Sequence, residues 1–312
     1  MDVVRHVKEL QHRADETRAA GRRIALVPTM GALHEGHLEL VREARRKADV
    51  VWVTVFVNPT QFGPGEDLAA YPRTFDQDCS VCEREGVDLV FAPDPEEFYP
   101  EGCQTWIEVT ELSQPLCGAA RPTHFRGVST IVPKLFLAAK PHIAVFGEKD
   151  FQQLSIIRRL TRDLCFDVEI LGVPTVRESD GIAMSSRNRW LDPRRRAQAA
   201  VLYRALDTAE LAVRGGVKDV ALLNEIVAKE LAVAADAQVD YAEFRDPETL
   251  ELISGELRGP TLLALAVFFP VPGPTGPDQV RLIDNRVLPA GAAQNLSNVK
   301  SNASSNTRST DK

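Results

Sequence analysis

Four stretches of the chain repeat one pattern, in which a short run of β-branched and apolar residues ends in a small or polar signature. IALVPTMG leads into EGHLELVREARRKA, VVWVTVFV into NPTQF, HIAVFGEKD into FQQLSIIRRLTRDL, and VEILGVPTV into RESDGIAMSSRN. A fifth run, VDLVFAPD, adds another strand. The runs are almost continuously apolar, as expected of strands covered on both faces, and each of the first four leads through its signature into a helix-like stretch. That combination predicts βαβ units and a parallel sheet. Sheets of this kind bind ligands beyond the carboxyl ends of their strands. Each polar signature falls at such an end. The expected class is therefore α/β, a Rossmann-like doubly wound parallel sheet domain, followed by a smaller α+β domain.

The change of character comes after the fourth pattern. LDPRRRAQAAVLYRALDTAELAVRGG reads as helix, with Asp192 as N-cap, Pro193 at the first helical position and Gly215-Gly216 as the stop. VKDVALLNEIVAKELAVAA is a second helix, and VDYAEFRD, TLLALAVFF and VRLIDNRVL are strand-like, with PVPGPTGPDQ a loop between the last two. Helices followed by strands predict an α+β unit. The division expected is residues 1–176 for the larger domain, 177–292 for a smaller lid domain, and a disordered polar tail over 293–312. At the other end, MDVVRHVKELQHRAD reads as an amphipathic helix with Val3, Val4, Val7 and Leu10 on one side.

Bulk properties narrow the function classes. A formal net charge of -7 lacks the basic footprint of a nucleic-acid binder. No apolar run approaches the ~18 residues of a membrane span, and no secretory core opens the chain, so the expected location is the cytoplasm. Five scattered cysteines then read as reduced thiols. Cys79 and Cys82 have CxxC spacing, but no second pair follows, and a structural zinc needs four ligands. FDQDCSVCEREG reads instead as a helix carrying two cysteines.

The junction PTMGALHEGH places His34 and His37 at a strand-to-helix turn. A helix N-terminus offers unpaired N–H groups and partial positive charge, a ready anion site that also disfavours charging an imidazole. Spacing i, i+3 puts both rings on one face. Phosphate handling, a structural role and metal binding all remain open from these residues alone, although the helical zinc spacing is HxxxH rather than HxxH. Gly147-Glu148-Lys149-Asp150 opens another helix: glycine allows close approach, lysine is a point charge for phosphate, and Asp150 suits a ribose hydroxyl. A capped helix start with an exposed lysine explains the same four residues. Met184-Ser185-Ser186-Arg187 joins two hydroxyls to a bidentate cation, as in a loop closing over polyphosphate, or in a polar linker. Gln61 and Gln153 follow two different strands, and their amides suit a substrate carrying hydroxyl and carboxylate groups.

Together, PTMGALHEGHLELV, VFVNPTQFGPGEDLAAYPRT, RPTHFRGVST, VFGEKDFQQL and VPTVRESDGIAMSSRNRWL, with RLIDN at 281–285, resemble the pantoate–β-alanine ligase (pantothenate synthetase) family, within the HxGH-type nucleotidyltransferases. The resemblance implies an ATP-dependent ligase: pantoate attacks the α-phosphorus to give a bound pantoyl adenylate and pyrophosphate, and β-alanine then displaces AMP. It implies that Met30, Gly31, Ala32, Leu33, His34, Glu35, Gly36 and His37 form the first ATP loop, with His37 as proton donor and His34 beside it on the phosphates. It also implies that Gly147, Glu148 and Asp150 meet the ribose side of ATP, Lys149 the phosphates, and Val176 the adenine through its backbone. Met184, Ser185, Ser186 and Arg187 would close over the triphosphate. His34, His37, Lys149 and Arg187 would be the catalytic set. Gln61 and Gln153 would hold pantoate, with Tyr71 near the amine substrate.

ATP with Mg2+ is the implied nucleotide, and the implied assembly a homodimer that binds small molecules rather than nucleic acid or membrane. One departure concerns the metal: where family members carry two acidic residues and a glutamine, this chain has Gln77, Asp78 and Val81, leaving Asp78 as the metal candidate. Two other readings stay open. A different small-molecule adenylyltransferase has no use for both glutamines, and a non-catalytic nucleotide-binding regulator has no use for His37 and Lys149.

Overall fold

The computed structural model describes residues 1–63, 68–69, 71–271 and 278–289. The expected tail over 293–312 and most of the PVPGPTGPDQ loop lie outside the described residues. Six strands form the first sheet: β1 (Asp2–Val4), β2 (Ile24–Thr29), β3 (Val50–Val55), β4 (Leu89–Phe91), β5 (Ile143–Gly147) and β6 (Glu169–Val173). All pairings are parallel, in the order β1-β4-β3-β2-β5-β6. The chain runs outward from β2 through β3 to β4, then returns to β2's other side for β5. The strand order therefore reverses between β2 and β5, and there a doubly wound sheet opens its ligand crevice.

The helices that cover this sheet are α1 (Val7–Ala19), α2 (Glu35–Lys47), α3 (Phe75–Arg84), the short α4 (Pro95–Phe98) and α5 (Cys117–Ala120), α6 (His124–Ala139) and α7 (Phe151–Asp163). Ala25, Val27, Val51 and Val53 pack on one side of the sheet with Val41 and Ala44 of α2. Ile24, Leu26 and Trp52 pack on the other side with Leu10 of α1 and much of α6. Both faces are dry, and each fully buried Val, Leu or Ile contributes about 1.5–3 kcal/mol relative to exposure. Polarity along α2 also fits its field, with Glu35 in the first turn and Arg45, Arg46 and Lys47 in the last.

The smaller domain begins its helices with α8 (Pro193–Ala199), followed by α9 (Val201–Arg214) and α10 (Val220–Leu231). Asp192 caps α8 by accepting from the Arg195 N–H at 2.7 Å. Three antiparallel strands follow, β7 (Gln238–Arg245), β8 (Thr261–Pro270) and β9 (Gln279–Leu288), in the order β7-β8-β9. Leu263, Leu265 and Val267 of β8 face α9 and α10 in a second core, while Leu262 and Ala264 join the core of the larger sheet. The alternation of one strand between two cores locks the units together.

Three expectations are corrected. The RESDGIAMSSRN stretch after β6 is no helix but a turn closed by the Arg177–Ala183 bridge, followed by the one-turn helix Ser186–Trp190. Val3 and Val4 belong to the edge strand β1, in register with Val90 and Phe91 of β4, and helix α1 starts only at Val7. The helical stretch after Asp192 is two helices, interrupted at Ala200. Cys79 and Cys82 do share helix α3, and all five cysteines are free thiols. Among the described residues no helix is long and apolar enough to cross a membrane.

Candidate active site

A cavity of about 910 Å³ opens at the carboxyl ends of β2 and β5, roofed by β9. Its floor is the turn after β2. Gly31 adopts φ +81 and Ala32 φ +52, two consecutive left-handed residues. A Cβ on Gly31 would lie 3.0 Å from both Asp78 Oδ2 and Val55 Cγ1, so the first of these positions requires glycine. Ala32 has no such freedom, and its conformation needs external support. Asp78 supplies it: its carboxylate accepts from the Ala32 N–H at 3.0 Å and the Leu33 N–H at 2.8 Å. Thr74 Oγ1 donates to the same group at 3.1 Å. Thr29 completes the turn by accepting from the Gly31 N–H at 3.1 Å and donating its hydroxyl to the Thr54 carbonyl at 2.6 Å.

This turn delivers His34 to the N-cap of α2 and His37 to its first turn. The two ring centroids are 4.1 Å apart. The His34 N–H donates to His37 Nδ1 at 3.3 Å, so the His37 ring proton sits on Nε2. Gly36 is small because the His34 ring lies against it: an added Cβ would be 2.9 Å from His34 Cε1. Burial and the adjacent His34 push the His37 pKa down to about 3. Burial, with Lys149 nearby, lowers His34 as well. Both rings are therefore neutral donors at neutral pH. Leu33 turns into the core instead, and Glu35 faces outward to Arg42.

The second wall starts at Gly147. Among the described residues nothing lies within 4 Å of where its Cβ would be, which leaves backbone open to a ligand. Lys149 Nζ stands 3.6 Å from Asp150 Oδ1. Burial works to raise the Asp150 pKa, but Lys149, Arg187 and His124 outweigh it, and the carboxyl stays ionised below its ordinary range. Glu148 is not in the cavity; its carboxylate lies toward Arg158, over Gly172. The third wall is the 184–187 segment. Met184 N–H donates to the Val176 carbonyl at 2.9 Å, joining the backbone expected at the adenine to the loop expected at the phosphates. Ser185 Oγ accepts from the Arg187 N–H at 3.2 Å, so this hydroxyl also caps the one-turn helix Ser186–Trp190.

Gln61, Gln153 and Tyr71 line the remaining side. Gln61 is held from every direction: its Nε2 lies 3.0 Å from Met30 Sδ, its Oε1 accepts from Asn58 Nδ2 at 3.2 Å, and its carbonyl meets His124 Nδ1 at 2.9 Å and Arg121 Nη2 at 3.2 Å. Asn58, Arg121 and His124 are site residues that spacing did not single out, although RPTHFRG was recognisable as a motif. Gly127 permits this contact, since a Cβ there would be 2.5 Å from the Thr60 carbonyl oxygen.

Asp78, the metal candidate, lies beneath the loop and binds its backbone. It is 2% exposed, both its oxygens are occupied by backbone N–H groups, and no cluster of three or more His, Cys, Asp or Glu side chains suited to a metal exists among the described residues. Three of the roughly four acceptor positions of this carboxylate are taken by Ala32, Leu33 and Thr74, so a resident protein-bound magnesium fits this group poorly.

Comparison with known proteins places the chain beside one family. Residues 2–287 match the family model for pantoate-beta-alanine ligase. A pantothenate synthetase from Syntrophobacter fumaroxidans is 51% identical over 288 residues, covering 92% of this chain and 99% of the relative. The crystal structure of pantothenate synthetase from Thermus thermophilus superposes with TM-score 0.83 at 45% identity, covering 92% of this chain and 99% of that one. A pantoate-beta-alanine ligase from Francisella tularensis, crystallised with beta-gamma ATP and beta-alanine, has TM-score 0.73 at 31% identity, covering 92% and 97%. With a family match across nearly the whole described length and a sheet of the same architecture, the chain belongs to the pantoate–β-alanine ligase family.

Proposed function

We propose that the cavity carries out both half-reactions of an ATP-dependent, AMP-forming ligase, with pantoate, β-alanine and MgATP as substrates. The carrying observation is the convergence of two neutral imidazoles, Lys149, Arg187 and two amides on one cavity where the strand order reverses. In the first step a pantoate carboxylate oxygen forms a bond to the α-phosphorus as the bond to the pyrophosphate oxygen breaks. In the second, the β-alanine nitrogen attacks the acyl carbon, the acyl–phosphate bond breaks, and the amine loses a proton as AMP leaves. No protein nucleophile is needed; positioning and charge stabilisation carry the chemistry.

Each residue has a role its surroundings support. His37 Nε2–H and the His34 ring donate to phosphate oxygens without importing charge of their own. Lys149 and Arg187 neutralise the charge that builds on the departing pyrophosphate. Asp150 and the open backbone at Gly147 receive the ribose, and Val176 the adenine through its backbone. Met30, Met184, Ser185 and Ser186 complete the nucleotide wall. Gln61, fixed by Asn58, and Gln153 hold the pantoate hydroxyls and carboxylate, with Tyr71 beside the amine. Magnesium arrives on the ATP phosphates as part of the substrate. A homodimer joined through the larger domain, working in the cytoplasm, completes the proposal; sedimentation equilibrium tests the dimer.

The test is an assay of purified protein with ATP, pantoate and β-alanine, then with each pair. Pyrophosphate release should require pantoate, and AMP release should be accelerated by β-alanine. Pyrophosphate release indifferent to pantoate would point to another adenylyltransferase. ATP binding without turnover would point to a regulator.

A further inference from the structure

The RLIDN segment lies in β9, the edge strand of the smaller sheet, far in sequence from either phosphate signature. Its last two residues nevertheless reach both. Asn285 Nδ2 donates to the Glu148 carbonyl at 3.1 Å and to the Lys149 carbonyl at 2.8 Å. Both partners are acceptors, so only the NH2 side of an amide satisfies them. A side chain of β9 thus grips the backbone of the one-turn helix Glu148–Asp150 from the smaller sheet.

The preceding residue holds the other loop. Asp284 has a side chain only 1% exposed, and it accepts from Arg177 Nη1 at 2.6 Å and Nη2 at 3.0 Å. Arg177 Nη1 also donates to the Gly181 carbonyl at 3.1 Å, and the guanidinium lies over the Tyr203 ring at 4.7 Å. Gly181 has φ +88, and a Cβ there would sit 2.6 Å from the same ring. Arg177 and Ala183 form a β-bridge, so the turn that presents Met184–Arg187 is clamped at its base onto Asp284. Asn285 N–H donates to Asp284 Oδ1 at 2.8 Å, which makes the two clamps one unit.

We infer that Asp284 and Asn285 are positioning residues that register the two ATP loops against each other. Asn285 sets Lys149, and Asp284, through Arg177, sets Ser185–Arg187. The smaller domain thus acts on the nucleotide through the loops it holds. This rests on Lys149 and Arg187 being ATP ligands, as proposed for the site.

The test is a double-mutant cycle in the full chain: Asn285→Ala, Lys149→Ala and the pair, with ATP dissociation constants from titration calorimetry and pantoate-dependent pyrophosphate release. Asn285→Ala should cost about 10- to 100-fold in release at saturating pantoate, as misplacement of a charged group does. On the Lys149→Ala background the same substitution should cost less than about twofold. Asn285→Asp, equal in size but presenting oxygens to two carbonyls, should be worse than Ala, and Asn285→Ser, with one donor, should be milder. A wild-type-like Asn285→Ala, or a loss undiminished on the Lys149→Ala background, overturns the inference. So does an Asn285→Asp variant milder than Ala. If the wild-type chain binds ATP but releases no pyrophosphate with pantoate, the ligase reading fails, while the cycle in ATP affinity still decides the role of Asn285.

Discussion

Around neutral pH the His37 ring holds no second proton, because burial and His34 keep its pKa near 3. The unfolded chain charges its histidines below about 6.5. Between those values the unfolded state binds the extra proton and the folded state does not. Stability is therefore complete above the unfolded pKa and falls as pH drops from about 6.5 toward 3, at about 1.4 kcal/mol per unit for one such group. Urea unfolding at pH 7.5 and 5.0 should show a steeper loss for the wild type than for His37→Gln. Equal slopes would contradict a ring held neutral. The same substitution should slow pyrophosphate release about 100-fold or more, the usual effect of removing one donor aimed at developing charge. Asp78 predicts a separable effect. Asp78→Ala frees two backbone N–H groups and the left-handed Ala32, so ATP affinity should fall while the Mg2+ concentration for half-maximal activity at fixed MgATP stays put. A shifted magnesium requirement would restore the metal reading. The sequence marked His34, His37, Lys149 and Arg187 as candidates by residue type and by their place at strand ends, and the fold brings all four to one cavity. The role of Asp78 was not legible, because an acidic residue that binds metal and one that binds backbone look alike until the loop 46 positions away folds against it.

Strands β2, β3, β5 and β6, and helices α2 and α7, could be read directly, since each is an apolar run or stripe bounded by a signature. Helix α6 could not. It is mostly buried and contains Pro133, which interrupts the helical composition a sequence reading looks for. Strand β1 is only three residues and continues the apolar spacing of α1, which made one helix the simpler reading. The loss matters for function, because α6 presents His124 to the turn that carries Gln61 and packs Gly127 on it. Gly127→Ala drives a Cβ into the Thr60 backbone. It should cost about 1–3 kcal/mol in stability and raise the KM for pantoate more than that for ATP. Thermal unfolding and the two KM values check this; a larger change for ATP would place the Gln61 turn on the nucleotide side.

Taken as one molecule, the chain uses its two cores for different ends. The parallel sheet builds the crevice by reversing its strand order beside β2, and β8 divides its side chains between the two cores so that β9 lies over the opening. That coupling was invisible in the sequence because it depends on which face of each strand meets which core. Ligation should therefore stabilise both units together: at ATP one hundred times its dissociation constant, unfolding should remain a single transition raised by about 2.7 kcal/mol. A split transition on calorimetry would contradict the shared roof. At the centre of the proposed chemistry, pantoate itself attacks the α-phosphorus within the cavity. Pantoate labelled with 18O in its carboxylate, turned over with ATP and β-alanine, tests it by mass analysis of the AMP. One labelled oxygen should appear in the AMP phosphate at each turnover, and unlabelled AMP formed alongside pantothenate would contradict the account.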